Sequence, residues 1–190
     1  ENTKLKLINS QLLEISRNNQ ELDLLWNSAQ IDKESYSLGR KRSLSINPFK
    51  SFMVLEVGFD QSNFEVNQVV LSNQGIIGKV SSVGISNVEV MLVHDPRSTV
   101  PIISSSSRIH GILQGRGLYR QGKLLNIKKT AKFKKGEGLY SSGLGNIYPP
   151  NFLVGKIMAI QDKADSEFLE VEVKFLDFPE DKDFFLIFTG

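Results

Sequence analysis

A change of hydrophobic period at Gly39 constrains this chain more than any other feature. Upstream of it runs an unbroken heptad. Leu5, Leu12, Asn19 and Trp26 fall at the a positions, and Ile8, Ile15, Leu22 and Ala29 at the d positions. Spacing that alternates between three and four residues keeps one narrow stripe facing a partner as helices supercoil left-handedly. A helix packed on its own domain carries a broader apolar face. Here Asn9, Ser10, Gln11, Arg17, Asn18, Gln20 and Glu21 leave little besides the seam to bury, with Leu7, Leu13, Leu24 and Leu25 as exceptions. A buried Asn at a single a position selects register and favours a parallel dimer. The reading is therefore a homodimer with Asn19 in its seam. No Pro or Gly interrupts the pattern before Gly39, so residues 1–38 are expected to form a dimerisation arm, roughly 55 Å long at about 1.5 Å per residue.

Downstream the period falls to two. Segments rich in Val, Ile and Phe recur between Gly, Asn, Ser and Pro punctuation. Strands are predicted at 43–46, 52–58, 67–72, 75–83, 88–93, 100–104, 110–115, 124–128, 137–141, 153–161, 168–176 and 184–188. Short strands at this spacing, with no helical pattern between them, indicate barrels or sandwiches and not a parallel α/β sheet. The Asp95-Pro96 step and a charge boundary divide the region. The expected fold is mostly β: a coiled-coil helix over 1–38, then two small six-stranded barrels over 39–95 and 96–190.

Charge is small in sum and uneven along the chain. The formal net charge is +2, too little to imply a nucleic-acid protein. Yet from Pro96 to Gly136 there is no Asp or Glu, while Arg97, Arg108, Arg116, Arg120, Lys123, Lys128, Lys129, Lys132, Lys134 and Lys135 all fall there. After Glu137 the balance reverses. Arg116, Arg120, Lys123, Lys128, Lys129, Lys132, Lys134 and Lys135 are the expected partner or self-assembly surface. Basic loops of one dimer meeting acidic loops of the next would make a head-to-tail contact that propagates into filaments. A competing reading interleaves Tyr119 and Phe133 with the cations as a nucleic-acid groove on a barrel.

Enzyme chemistry finds little to work with. There is no cysteine, which removes thiolate nucleophiles and thiolate metal sites. Small double barrels also house Ser/His/Asp hydrolases, but His94 and His110 are the only histidines. His94 and Asp95 are adjacent, and neighbours on a strand point to opposite faces. The serines near Ser141 and Ser142 lack a nucleophile elbow. Two histidines sixteen positions apart offer no metal-ligand spacing. Glu170 and Glu172 alternate with Val171 and Val173 as the solvated face of a strand. Ser104–Ser107 and Gly143–Gly145 lack the ending of a phosphate loop. A non-enzymatic, cofactor-free protein is expected. Phe49, Phe52, Tyr148 and Phe152 are either exposed anchors or core, with core the commoner fate of such residues.

Four segments in order carry a family resemblance. Gly75–Val80 (GIIGKV), Asp95–Ile102 (DPRSTVPI), His110–Gly115 (HGILQG) and Gly136–Ile157 (GEGLYSSGLGNIYPPNFLVGKI) resemble the extracytoplasmic region of the MreC family of rod-shape-determining proteins. Asn63–Gln68 stands where that family has a glycine-rich stretch, and Asn146 and Asn151 stand where it has glycines. The resemblance implies a bitopic inner-membrane protein with its bulk in the periplasm. No stretch here is apolar enough to span a membrane, and the chain opens inside the heptad without an N-cap. A single-pass anchor is therefore expected upstream of Glu1. The implied role is organising lateral peptidoglycan synthesis, with MreD, MreB, RodA and a class B penicillin-binding transpeptidase as partners. No nucleic-acid partner is implied.

Overall fold

The structure is a computed structural model, in which residues 2–28, 35–58, 64–117 and 120–189 are described; for 2–9, 11, 15 and 26–28 this means the backbone alone. Among the described residues one helix, α1 (Asn2–Ser28), precedes twelve strands. These are β1 (Tyr36–Ile46), β2 (Ser51–Val57), β3 (Val69–Leu71), β4 (Ile76–Val83), β5 (Asn87–Leu92), β6 (Thr99–Ser104), β7 (His110–Gly115), β8 (Gln121–Lys128), β9 (Gly138–Ser141), β10 (Leu153–Asp162), β11 (Phe168–Phe175) and β12 (Phe184–Phe188). They close into two six-stranded barrels, ordered β1-β12-β3-β4-β5-β2 and β10-β11-β8-β7-β6-β9. Closure leaves neither barrel with an open sheet edge.

Two boundaries differ from the sequence reading. The helical arm does not reach residue 38, because Tyr36, Ser37 and Leu38 already pair with Phe188, Ile187 and Leu186 in the β1–β12 ladder. Tyr36 is buried there, its ring 5.2 Å from that of Phe188. At 1.5 Å per residue α1 is thus about 40 Å long. The division at 95/96 also fails at the C-terminus. β12, placed by the sequence in the second unit, lies between β1 and β3 and completes the first barrel. Long-range antiparallel pairing leaves no local signal from which that return could be read.

The barrel interiors follow from alternation. In β2, Ser51, Met53, Leu55 and Val57 are buried while Phe52, Val54 and Glu56 are half-exposed. Met53, Leu55, Val70, Ile77, Val80, Val88, Val90, Leu92, Phe185 and Ile187 fill the first barrel. The sheet neighbours β12, β3 and β4 are different: in Phe185–Ile187, Val69–Leu71 and Ile76-Ile77 consecutive apolar residues are buried on both faces. Val69, Leu71, Ile76 and Leu186 turn away from that interior and join a second cluster. It also holds Val100, Ile102, Leu113, Val171, Val173 and Phe175 of the second barrel. One continuous apolar cluster therefore fuses the barrels. Gly75 permits this approach: its φ is +152°, and a Cβ there would lie 2.1 Å from the Leu153 carbonyl oxygen.

α1 docks at the same place. Leu25 is buried in the shared cluster. Glu21 Oε1 accepts the backbone N–H groups of Asp183 (2.8 Å) and Phe184 (3.1 Å) at the start of β12.

Candidate functional site

The segment joining the barrels, between β5 and β6, is a turn, so the strand alternation that would separate His94 from Asp95 does not apply to it. Asp95 is fully buried between them. Its Oδ2 accepts Ser51 N–H (2.7 Å) from the β1–β2 hairpin and Arg97 Nη2 (2.7 Å), while Oδ1 accepts Arg97 N–H (2.8 Å) and Nε (2.9 Å). Burial opposes the charge, but these donors overcome it and hold the carboxyl below its ordinary range. Gly117 N–H donates to the His94 carbonyl, and Gly115 N–H to that of Ser98. A Cβ at Gly115 would sit 2.3 Å from the Asp95 carbonyl oxygen. The hairpin, the joining turn and the β7–β8 turn are thereby locked together. A crossover over residues 176–183 closes the other side. Lys41 Nζ donates to the carbonyls of Pro179 (2.9 Å) and Glu180 (3.0 Å), and Arg120 pairs with Glu180 (2.9 Å) while lying over the Phe178 ring.

This geometry settles where the catalytic suspects go. The carboxylate that would orient a His94 base is committed to Ser51 and Arg97. His94 is buried, its Nε2 without a hydrogen-bond partner, and burial lowers its pKa. Ser141 Oγ donates to the Pro149 carbonyl (2.5 Å) and accepts Phe152 N–H (3.0 Å), bracing the β9–β10 loop. His110 is exposed at the start of β7. Among the described residues no group of three or more His, Cys, Asp or Glu could hold a metal ion.

The heptad seam is only partly placed. Leu12 is 58% exposed, Asn19 is exposed and Leu22 is half-buried. The side chains of Leu5, Ile8, Ile15 and Trp26, and all of Ala29, lie outside the described residues. Leu25, an exception to the seam, is the side chain that docks on the barrel. The helix thus uses an off-seam position to hold its own domain and leaves Leu12 and Asn19 facing solvent. Of the four aromatic suspects, Phe49 is 83% exposed at the β1–β2 hairpin tip, Phe52 is half-exposed beneath Lys50 Nζ, Phe152 is half-buried and Tyr148 is core. Burial pushes the Tyr148 hydroxyl up to about 12.

The basic tract separates into two populations. Arg116 pairs with Glu172 (3.5 Å), Arg120 with Glu180 and Lys129 with Asp162 (2.6 Å), while Lys123 stands opposite Glu172 in the β8–β11 ladder. Lys128, Lys132, Lys134 and Lys135 are exposed and have no acidic partner among the described residues. Phe133, which a nucleic-acid groove would need as a stacking face, is buried, and Tyr119 lies outside the described residues.

Arg108 joins the second population through a contact that the linear tract does not show. Glu137, buried at the start of β9, ties the β6–β7 turn to the β8–β9 loop. Its Oε1 accepts Ser106 N–H (2.8 Å), Ser106 Oγ–H (2.9 Å) and Ser107 N–H (2.6 Å), and its Oε2 accepts Lys134 N–H (3.1 Å). Ser107 Oγ lies between Glu137 Oε2 (2.8 Å) and the Lys132 carbonyl (2.9 Å). Burial alone would raise the Glu137 pKa; the backbone amides of Ser107 and Lys134 and the two hydroxyls reverse this and hold it at about 2.

Two fused closed barrels with a helix docked on the strand that returns to the first of them define a double-barrel protein whose accessible features are surfaces and a seam. The family model for the rod shape-determining protein MreC, barrel core, matches residues 43–188. The chain belongs to the MreC family. It is 25% identical over 179 residues to the cell shape-determining protein MreC of Haemophilus influenzae, covering 89% of this chain and 51% of that protein. It thus spans about half the length of that relative. A solved MreC structure superposes with a TM-score of 0.83 at 24% identity, covering 92% of this chain and 98% of that one. MreC from Helicobacter pylori, solved in complex with the penicillin-binding protein PBP2, superposes with a TM-score of 0.65 at 17% identity, covering 82% and 98%. Among the described residues no helix is long and apolar enough to cross a membrane.

Proposed function

We propose that this chain is a non-enzymatic cell-shape scaffold, working on the periplasmic side of the inner membrane to organise the peptidoglycan-synthesising elongation machinery. The family match across both barrels carries the reading. A relative of the same fold has been solved with a penicillin-binding protein, which supports a class B transpeptidase as a direct partner here. MreD, MreB and RodA are further partners on the family resemblance. The chain self-associates through α1: Leu12 and Asn19 stand exposed on a helix already docked through Leu25 and Glu21. A parallel pair of such helices would set two double barrels side by side, and filaments of dimers would follow from contacts between their loops. An anchor upstream of Glu1 would hold the arm at the membrane. The division of labour is an arm that pairs and two fused barrels that present surfaces.

The test is co-elution of this chain with the periplasmic part of the class B transpeptidase from the same organism. A stable complex in gel filtration is expected. Separate elution of the two folded proteins at high micromolar concentration overturns the transpeptidase assignment.

A further inference from the structure

We infer that the end of the second barrel carries a docking surface for an acidic protein segment, made by Arg108, Lys132, Lys134 and Lys135. All four side chains are exposed, and none has an acidic partner among the described residues. Other cations of the same tract are neutralised within the molecule by Glu172, Glu180 and Asp162. Of what remains unneutralised, Lys132, Lys134 and Lys135 share one loop and Arg108 stands on the turn tied to it, while Lys128 ends β8 opposite Phe168.

The loops are held in place before any partner arrives. Glu137 ties the turn that carries Arg108 to the loop that carries the three lysines, and the Ser107 hydroxyl reaches the carbonyl of Lys132 itself. Glu137 offsets one charge from below, so the surface remains net positive. A cluster fixed in advance loses less conformational entropy on binding than one on mobile loops.

The chemistry of the occupant follows from what surrounds the cations. Phe133 is buried, and Ile109 and Ala131 are half-buried against the core. Among the described residues of these two loops, no exposed aromatic face is offered to a base and no exposed apolar side chain to a lipid acyl region; the exposed Phe168 stands apart on β11, opposite Lys128. The β10–β11 tip presents Asp162, Asp165 and Glu167, all exposed, and is tied to the start of the lysine loop by Lys129, which reaches both Asp162 and the Lys163 carbonyl (2.8 Å). This acidic border lies on one side of the cluster. An extended polyanion, whether a nucleic-acid strand or an anionic membrane, would run onto that border and be repelled. A short stretch of Asp and Glu side chains on a protein fits the patch and stops before it.

A fluorescein-labelled peptide of alternating Glu and Ser residues, titrated with the whole chain, tests this. Binding at low salt that weakens steadily as salt is raised is expected, since exposed charge pairs are screened beyond about 8 Å at physiological ionic strength. The variant R108Q/K132Q/K134Q/K135Q should bind at least tenfold more weakly, whereas K123Q/K174Q, which removes exposed lysines of β8 and β11, should bind as the parent does. Amide NMR shifts on titration should concentrate at residues 105–109 and 130–137. Equal binding by the fourfold variant, or no low-salt binding by the parent, overturns the inference. Tighter binding to a dT oligonucleotide or to phosphatidylglycerol vesicles than to the peptide also overturns it. Should the fourfold variant melt early, K132Q/K135Q and the parent's own shift map decide the question.

Discussion

Asn67, Asn146 and Asn151 have φ values of 77°, 55° and 70°, the left-handed region that most L-residues avoid at a cost of about 1 to 2 kcal/mol. Asn146 and Asn151 stand where the family pattern has glycine, and Asn67 lies within the stretch that replaces its glycine-rich segment. Asparagine is the side chain that best tolerates this backbone after glycine. The departures from the motif thus preserve the turn geometry that the motif encodes. Asn151→Gly should leave stability nearly unchanged, and Asn151→Val should cost about 1 to 2 kcal/mol, read as a lowered urea midpoint. Glu137 makes a second prediction at this scale. Its folded pKa of about 2 lies below the ordinary 4.5, so the folded state binds fewer protons than the unfolded one across that window. Its stabilisation is complete above pH 4.5 and is lost as pH falls toward 2. In Glu137→Gln that acid limb should disappear from a stability-against-pH curve. A limb beginning below pH 6.5 should persist, because there the unfolded chain protonates His94 while burial keeps the folded imidazole neutral.

At the scale of elements, a strand was legible at each of the twelve places, though only 43–46 of β1, since period-two alternation reports half-buried sheet directly. β2 shows it, with Phe52, Val54 and Glu56 outward and Met53 and Leu55 inward. Less legible was what two-sided burial means. Val69-Val70-Leu71, Ile76-Ile77 and Phe184–Phe188 are unbroken apolar runs, and these are the strands covered by the second barrel and α1. A continuous run signals burial on both faces, but not which element covers the outer one. The return of β12 was hidden for the same reason, since its partners β1 and β3 are far away in sequence. The Arg108 cluster was hidden too: Glu137 joins it to residues some thirty positions away. In α1 the docking role of Leu25 was visible only as an irregularity in the heptad. Leu25 is nearly fully buried, so Leu25→Ala should weaken the docking of α1 by about 2 to 4 kcal/mol. The check is hydrogen exchange over residues 16–28: their amides should lose protection while those of β8 and β11 keep theirs.

The whole molecule is a rigid double barrel on a helical stalk. The shared apolar cluster, the Asp95 joint and the Lys41–Arg120 clasp leave little freedom between the barrels. Rigidity suits the proposed scaffold role, because flexible scaffolds lose binding energy to ordering. The charge pattern belongs at this scale as well. A net charge of +2 conceals one cationic end on the second barrel, bordered by carboxylates.

The central claim is self-association through α1, and sedimentation equilibrium of the intact chain tests it most directly. The account predicts twice the 21.3 kDa chain mass at high micromolar concentration. It also predicts a return to monomer in Leu12→Asp/Leu22→Asp, with the β-sheet circular dichroism unchanged. A chain that stays monomeric throughout, or a dimer that survives both substitutions, would contradict it.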